Sequence, residues 1–499
     1  MLISPSLELL SIFGVVLLTV ITAPIVSRSL KFHAIPTLGS TTWLGSYWSA
    51  IKNLGGVAEI VQEGYDKYKD IPFKIPTLYN WIVVVSGNKL LEEVRRAPDE
   101  QLSAFEADND ALKFSFTIGH KVALDPYHFA IIKTNINRHL TNLFPSIDNE
   151  IALALTEVFG SEDSKWRGVV AIDAVRKVIS RASNRALFGL PLCRNPGWLE
   201  LCLQVPSDVM ASVAMLDLFP RFIWPVVAKF VSSTSRNTRR GIEYIGPIIR
   251  ERQKHGAVRL QDRTPTDTPN DFLQWLIDNG TETSEWEITQ RILMMVFASH
   301  ATSSSFVPVL YNLAAHPEYL QPLREEVNSV VHQDGWTKAA IDKMHMIDSF
   351  LKESHRLGGT NSLVGLRKVL KDFTFSDSRV VPRGCIIAVP LSAVHHDKEI
   401  YSSSNTFDPF RFSRLRIDEN DSRQQLVSLS SDFLTFGHGK HACPGRFFAT
   451  LIQKTLLAHI VSLYDLKLED NASSTMKSFE SGIFMAPDPT TRILMRRIL

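Results

Sequence analysis

The chain has 499 residues, with 54 basic and 52 acidic side chains, a formal charge of +2 and a hydrophobic content of 44%. That balance excludes a nucleic-acid binder working by phosphate neutralisation, and the hydrophobic share is that of an ordinary globular protein. Four cysteines (Cys193, Cys202, Cys385 and Cys443) are too few for a disulfide scaffold and show no paired metal-ligand spacing.

Leu7 to Val26 is a nearly unbroken apolar run with Glu8 as its only charge, the length a helix needs to cross a bilayer. Arg28 and Lys31 follow, and no Lys or Arg precedes, so the positive-inside rule places the rest of the chain in the cytosol. The competing reading is a cleaved secretory signal, but the run exceeds a typical h-region and lacks a basic n-region. The expected layout is a lumenal segment 1–6, an anchor 7–26, a basic, proline-bearing hinge 27–40 and a folded domain 41–499. Gly55 to Asp70 reads as a helix, Trp81 to Ser86 as a β-branched strand, and Asn88 to Arg96 as a helix. Gln101 to Asp125 reads as loop, with Phe105, Phe114, Phe116 and Ile118. His128 reads as a surface residue. Leu140–Gly160, Val169–Leu187 and Gly197–Leu218 are helical in period. Cys193, Cys202 and Cys385 read as packing residues. The aromatic, proline-broken stretch from Leu216 to Pro225 is either a packed helix connection or an apolar lid dipping towards a membrane. Asn237 to Arg252 is a basic, solvated helix face. His255 to Pro269 reads as a surface loop, and an N-capped short helix starts at Asn270-Asp271. No internal repeat or low-complexity tract appears.

Glu285 to Ala315 is long and mostly apolar, which predicts a helix buried through the core. Its middle reads Met294-Met295-Val-Phe-Ala298-Ser299-His300-Ala301-Thr302-Ser303. The Thr302 hydroxyl can donate a hydrogen bond and a proton to a bound ligand, or it can bond the carbonyl four residues back and bend the helix. His300 titrates in a useful range, but projects roughly 160° away from Ala298. Glu353 and Arg356 share a helix face at i, i+3 and can pair. Phe407-Asp-Pro409-Phe-Arg411-Phe412 follows about 50 residues on. Then comes Phe433-Leu-Thr-Phe436-Gly437-His-Gly439-Lys-His441-Ala-Cys443-Pro-Gly445-Arg-Phe-Phe-Ala449, a cysteine in a glycine-rich loop leading into an apolar helical run. Glycines permit close approach of a flat group and φ > 0 turns. Backbone N–H groups and the following helix N-terminus favour a thiolate. Pro444 suits that helix's first turn. A thiolate is a strong ligand for haem iron.

Phe436-x-x-Gly439-x-His441-x-Cys443-x-Gly445 resembles the haem-binding loop of the cytochrome P-450 superfamily, the haem-thiolate monooxygenases. The usual Arg is His441 here, as in some fungal members. The other motifs fall in the family's order, and the resemblance covers about residues 35–499. It implies a mainly α fold: one large helical domain with a small β-rich portion, behind a transmembrane helix. It implies haem b, with Cys443 as axial ligand to the iron within the loop of Phe436, Gly437, Gly439, His441 and Gly445. Arg367 matches a position that often reaches a haem propionate. The family's Trp-x-x-x-Arg is absent, leaving Tyr127, His128, Lys133 and Arg138 as the polar residues there. Glu353, Arg356 and Arg411 match the triad that locks the haem-side meander. Ala298 and Thr302 match the oxygen-binding helix, with Ser299 standing for the usual Gly and Ala301 for the usual acid; His300, Ser303 or water would then serve the proton relay.

The pocket candidates are Phe105, Phe114, Met294, Met295, Ala298, Leu363, Val364 and Phe484, the last in a final turn at Glu480–Met485. They imply a bulky lipophilic substrate. No Gly-x-Gly-x-x-Gly run occurs, so NADPH and flavin enter only through a partner reductase in the same membrane, that of the endoplasmic reticulum. His441 and Asp271-Phe-Leu-Gln-Trp-Leu look like fungal members that make terpenoids such as diterpenes and indole diterpenes. Two alternatives stand beside the monooxygenase: an oxygen-independent isomerase or dehydratase on the same haem fold, and a non-enzymatic haem protein for electron transfer or sensing.

Overall fold

Short β-branched runs bounded by turns build one sheet. The computed structural model describes residues 34–40, 42–160, 165–262, 269–280, 284–418, 421–469 and 476–498; the expected anchor 7–26 lies outside them. The described chain forms two compact units. In the first, described residues 34–40 and 42–107 with 363–393 and 481–483, strands β1 (Phe73–Pro76), β2 (Trp81–Val84), β3 (Leu102–Ser103), β4 (Leu363–Val369) and β5 (Ile386–Pro390) make a sheet of order β1-β2-β5-β4-β3. β2 and β5 run parallel, with Ile82 opposite Ile386, and the other neighbours are antiparallel. β1 is buried along its whole length, so Phe73, Ile75, Val84, Leu363 and Ala388 form the core with Val57 and Val61. The end of the expected hinge is tied to this sheet: Lys74 N–H donates to Pro36 O (2.8 Å) and Leu38 N–H to Lys74 O (3.0 Å). Helices α1 (Trp43–Asn53), α2 (Ala58–Lys67) and α3 (Asn88–Arg96) complete the unit. The register of β4 on β5 shifts between Val364 and Arg367. Such a bulge re-aims side chains, and Gly365 supplies its positive φ of 63°.

The second unit is helical. Its main helices are α4 (Asn137–Phe159), α5 (Ala171–Phe188), α6 (Pro196–Asp217), α7 (Thr234–Asp262), α8 (Phe272–Asn279), α9 (Glu285–Ala315), α10 (Leu320–Asp334), α11 (His345–Leu357) and α12 (Arg446–Leu463). α9 starts with Glu285 and Glu287 in its first turn, where the helix dipole favours acids. It has no solvated stripe: Ile288, Ile292, Phe306, Val307, Val309, Leu310 and Leu313 are all fully buried. α5, α6, α7 and α11 pack around it. A three-stranded antiparallel sheet, Arg167–Val170, Arg492–Arg497 and Tyr464–Leu468, closes one side.

Three local expectations are corrected. Within 101–125 the chain is mostly short helices, Ala104–Leu112, Phe114–Thr117 and His120–Leu124, too short to show a period. α7 continues to Asp262, through residues expected as loop from His255. His128 is buried, 1% exposed. It faces Arg291 Nη1 at 3.2 Å, and burial with that neighbouring charge lowers its pKa to about 3. The cap of α8 is Asp271, whose carboxylate accepts from Gln274 N–H at 2.9 Å. Cys193, Cys202 and Cys385 are buried and form no disulfide. Beyond α6, Leu218, Phe222, Val226 and Phe230 stand exposed, while Trp224 tucks in and donates from Nε1 to Phe219 O.

Candidate haem-thiolate site

Leu434 and Ala442 are buried, and between them the chain makes two left-handed turns, at Gly437 (φ 72°) and Gly439 (φ 71°). A side chain strains such turns. Gly437 N–H donates to Leu434 O (2.7 Å) and Cys443 N–H to Phe436 O (2.8 Å). His441 ends a 3-10 turn begun at Gly439. Cys443 is exposed, yet enough protein surrounds its sulfur that burial raises the thiol pKa; the Gly445 N–H and the Arg446 charge pull it back. A sulfur both surrounded and open lines a recess, not an outer face. Gly445 has an ordinary φ of −89°. A Cβ there would meet nothing nearer than Ile132 Cγ2 at 3.9 Å. Neither strain nor crowding asks for glycine, so its small size serves the space beside Cys443.

α9 opens at its centre. Residues 291–296 and Ser303, Ser304 are buried, but Ala298 and Ala301 are exposed, and Phe297, Ser299, His300 and Thr302 are half-buried. Ser299 Oγ donates to Val296 O (2.8 Å) and Ser305 Oγ to Thr302 O (3.1 Å). Helical threonines elsewhere back-bond, as Thr134 does to Ala130 O and Thr156 to Ala152 O. Thr302 Oγ1 makes no such bond among the described residues, so its hydroxyl is left for another partner. His300 turns towards α5: its Nε2 lies 3.5 Å from Arg176 Nη2 and 3.4 Å from Ser304 Oγ. Burial and the Arg176 charge lower its pKa to about 4, so the ring is neutral at pH 7. Phe114 packs edge-on against Phe297, ring centres 6.4 Å apart. Phe297 escaped the sequence reading, although it directly precedes Ala298. Met294 and Met295 are buried in the core beneath the opening. Phe484 bridges to Asn361. Phe105, Leu363, Val364 and Arg367 belong to the sheet-bearing unit; Arg367 Nη1 donates to its neighbour Leu366 O at 2.8 Å.

The structure brings Glu353, Arg356 and Arg411 together. Glu353 is fully buried; Arg356 donates to it from Nε and Nη2, both at 2.8 Å, and Arg411 Nε reaches both carboxylate oxygens at 3.2 Å. The remaining guanidinium donors clamp loop carbonyls: Arg356 Nη1 those of His395 and Ser404, Arg411 Nη1 that of Ser402. One carboxylate thus serves two guanidiniums, and the carbonyl dipoles take up the remaining donors of the buried cluster. Sequence reasoning missed His395. Burial lowers its pKa to about 3, so the ring is neutral. Its Nε2 accepts from Leu434 N–H (3.0 Å), so the hydrogen sits on Nδ1 and donates to Arg356 O (3.2 Å). The ring also stacks on Phe433 at 5.2 Å. One neutral imidazole therefore ties the triad helix α11 to the start of the cysteine loop.

These residues suit an iron porphyrin: an open thiol that a metal would hold deprotonated, small residues beside it, and orphaned buried polar atoms nearby at Thr435 Oγ1 and Arg446 Nε. A cysteine-ligated haem protein is the class such a loop and helix define. A cytochrome P-450 family model matches residues 36–495. The chain is 37% identical over 476 residues to cytochrome P-450 monooxygenase 151 of Postia placenta, covering 94% of this chain and 95% of that one. It is 33% identical over 497 residues to monooxygenase AN1598 of Emericella nidulans (98% and 92% covered) and 34% over 447 residues to monooxygenase CYP512U6 of Ganoderma lucidum (88% and 87%). The chain belongs to the cytochrome P-450 family. It is thus an oxygen-incorporating oxidoreductase that uses haem, with NADPH and flavin supplied by a reductase partner.

Proposed function

We propose that this chain oxidises a bulky, lipophilic, terpenoid-type small molecule at the endoplasmic reticulum membrane, anchored by residues 7–26 with its catalytic portion, 41–499, in the cytosol. Haem held through Cys443 would supply oxygen activation, which an electron-rich thiolate ligand would favour. The chain does the rest. The Phe436–Gly445 loop holds the sulfur and leaves it open. His441 serves the acidic edge of the cofactor. The triad keeps the loop's framework fixed. On α9, Ala298 and Ser299 leave room for dioxygen, and the Thr302 hydroxyl hands on a proton. His300, two residues before Thr302, neutral and turned to Arg176, would act only through water as a relay. Phe114, Phe297, Met294, Met295 and Phe484 supply apolar walls. The exposed Phe222, Val226 and Phe230 favour the membrane-dipping reading of the 216–225 stretch.

The observation that carries this reading is Thr302: an unbonded hydroxyl at the central opening of a long, mostly buried helix. The test compares metabolites of the native organism with those of a strain lacking the gene, grown under ¹⁸O-labelled dioxygen. The reading expects the mutant to accumulate a lipophilic precursor, and the lost product to carry the label. A precursor that is an isomer of the product, or differs from it only by water, would instead favour the oxygen-independent reaction that Ala301, in place of an acid, keeps in view.

A further inference from the structure

Gln453 lies on α12, the helix that starts three residues after Cys443, and is 2% exposed. Its side chain leaves its own helix to reach α9. Nε2 donates to Thr302 O at 3.0 Å and to Ser305 Oγ at 2.8 Å. Its Oε1 lies 2.8 Å from Nε2 of His355, which is buried on α11. Burial lowers the His355 pKa to about 4, so that ring is neutral. A neutral imidazole nitrogen facing a carbonyl oxygen must carry the hydrogen. This fixes the amide, since the flipped orientation would set Oε1 against Thr302 O and an N–H₂ group against an N–H. Ser305 Oγ, accepting from Gln453, donates in turn to Thr302 O. The Thr302 carbonyl is thus gripped from outside its helix while the Thr302 hydroxyl stays off the backbone.

We infer that Gln453 is a positioning residue: it registers the oxygen-side turn of α9 against the cysteine helix, and His355 sets its orientation. The inference rests on the reading that the Thr302 hydroxyl passes on a proton. No charge is involved, so the device does not compete with the haem for counter-ions.

The test uses the full-length haem protein with its reductase and the substrate identified as above. Gln453→Met keeps length and volume but removes both donors; Ser305→Ala removes half of the grip with little risk to folding. For Gln453→Met, haem content per chain should match wild type. Backbone hydrogen exchange in 296–306 should quicken at least several-fold while that of 320–334 is unchanged. Product formed per NADPH should fall about threefold or more, the difference leaving as hydrogen peroxide. Ser305→Ala should move both readouts the same way by less, and decides the matter if Gln453→Met does not fold. Thr302→Ala is the reference. If it uncouples while Gln453→Met and Ser305→Ala exchange and couple like wild type, the inference is overturned and the Thr302 reading stands. If Thr302→Ala itself leaves coupling unchanged, the Thr302 reading fails and takes the inference with it.

Discussion

Thr302 is the residue whose removal should be most selective. Its hydroxyl holds nothing together in the described structure, so Thr302→Ala should leave the melting temperature within about 1 °C, because only a half-buried methyl-sized change is made. The same change should raise peroxide release per NADPH several-fold. A large loss of stability with intact coupling would mean that the hydroxyl is structural. What the sequence revealed at this scale followed spacing. Thr302, Glu353, Arg356 and Cys443 sit in short motifs whose members are neighbours in the chain. His395 and Gln453 were invisible because their partners, Leu434 and Thr302, lie 39 and 151 residues away. His128 was misread because a lone histidine has no period to report which side it faces.

Among elements, α11 and α12 brace the cysteine loop, and the braces are ionic on one side only. Glu353→Ala would leave Arg356 and Arg411 buried without a counter-charge, a change that costs about 3–5 kcal/mol. The expected result is little soluble haem protein at growth temperature and, where some survives, a melting temperature lowered by several degrees or more. A variant as stable as wild type would mean that the carbonyls of His395, Ser402 and Ser404 suffice for the two arginines. Element boundaries followed the same logic of period. α3 and α9 begin and end where apolar spacing and charge predict, at Asn88–Arg96 and Glu285–Ala315. The 101–125 stretch failed because helices of four to nine residues complete too few turns to leave a pattern. The end of α7 was set too early because Gly256 and the polar stretch after it suggested a loop, whereas the helix runs through Gly256 to Asp262.

For the whole molecule, the buried neutral histidines make acid a destabilising agent. His355 and His395 are held at about 4 and about 3 in the folded chain, against roughly 6.5 unfolded. Between those values the unfolded chain binds more protons. Stability is therefore complete above about pH 6.5 and is lost as pH falls towards 4, by roughly 2 kcal/mol per histidine at pH 5. A melting temperature that drops steeply from pH 7 to pH 5, and drops less in His355→Gln, is the expected outcome; a flat profile would contradict it. The helical class was legible from the long amphipathic and apolar runs. The division into two units was not, since the sheet-bearing unit is assembled from described residues up to 107 and from 363–393 and 481–483, with no linker to announce it.

The most direct measurement of the central claim is the absorption spectrum of the reduced, carbon-monoxide-bound protein, taken for wild type and for Cys443→His. A thiolate opposite carbon monoxide shifts the main band far to the red of that given by a histidine-ligated haem, so wild type should show the shifted band. Cys443→His should bind haem, lose the shift and form no product. A wild-type spectrum without the shift, or a Cys443→His variant that keeps both the shift and its activity, would contradict the assignment of Cys443 as the haem ligand.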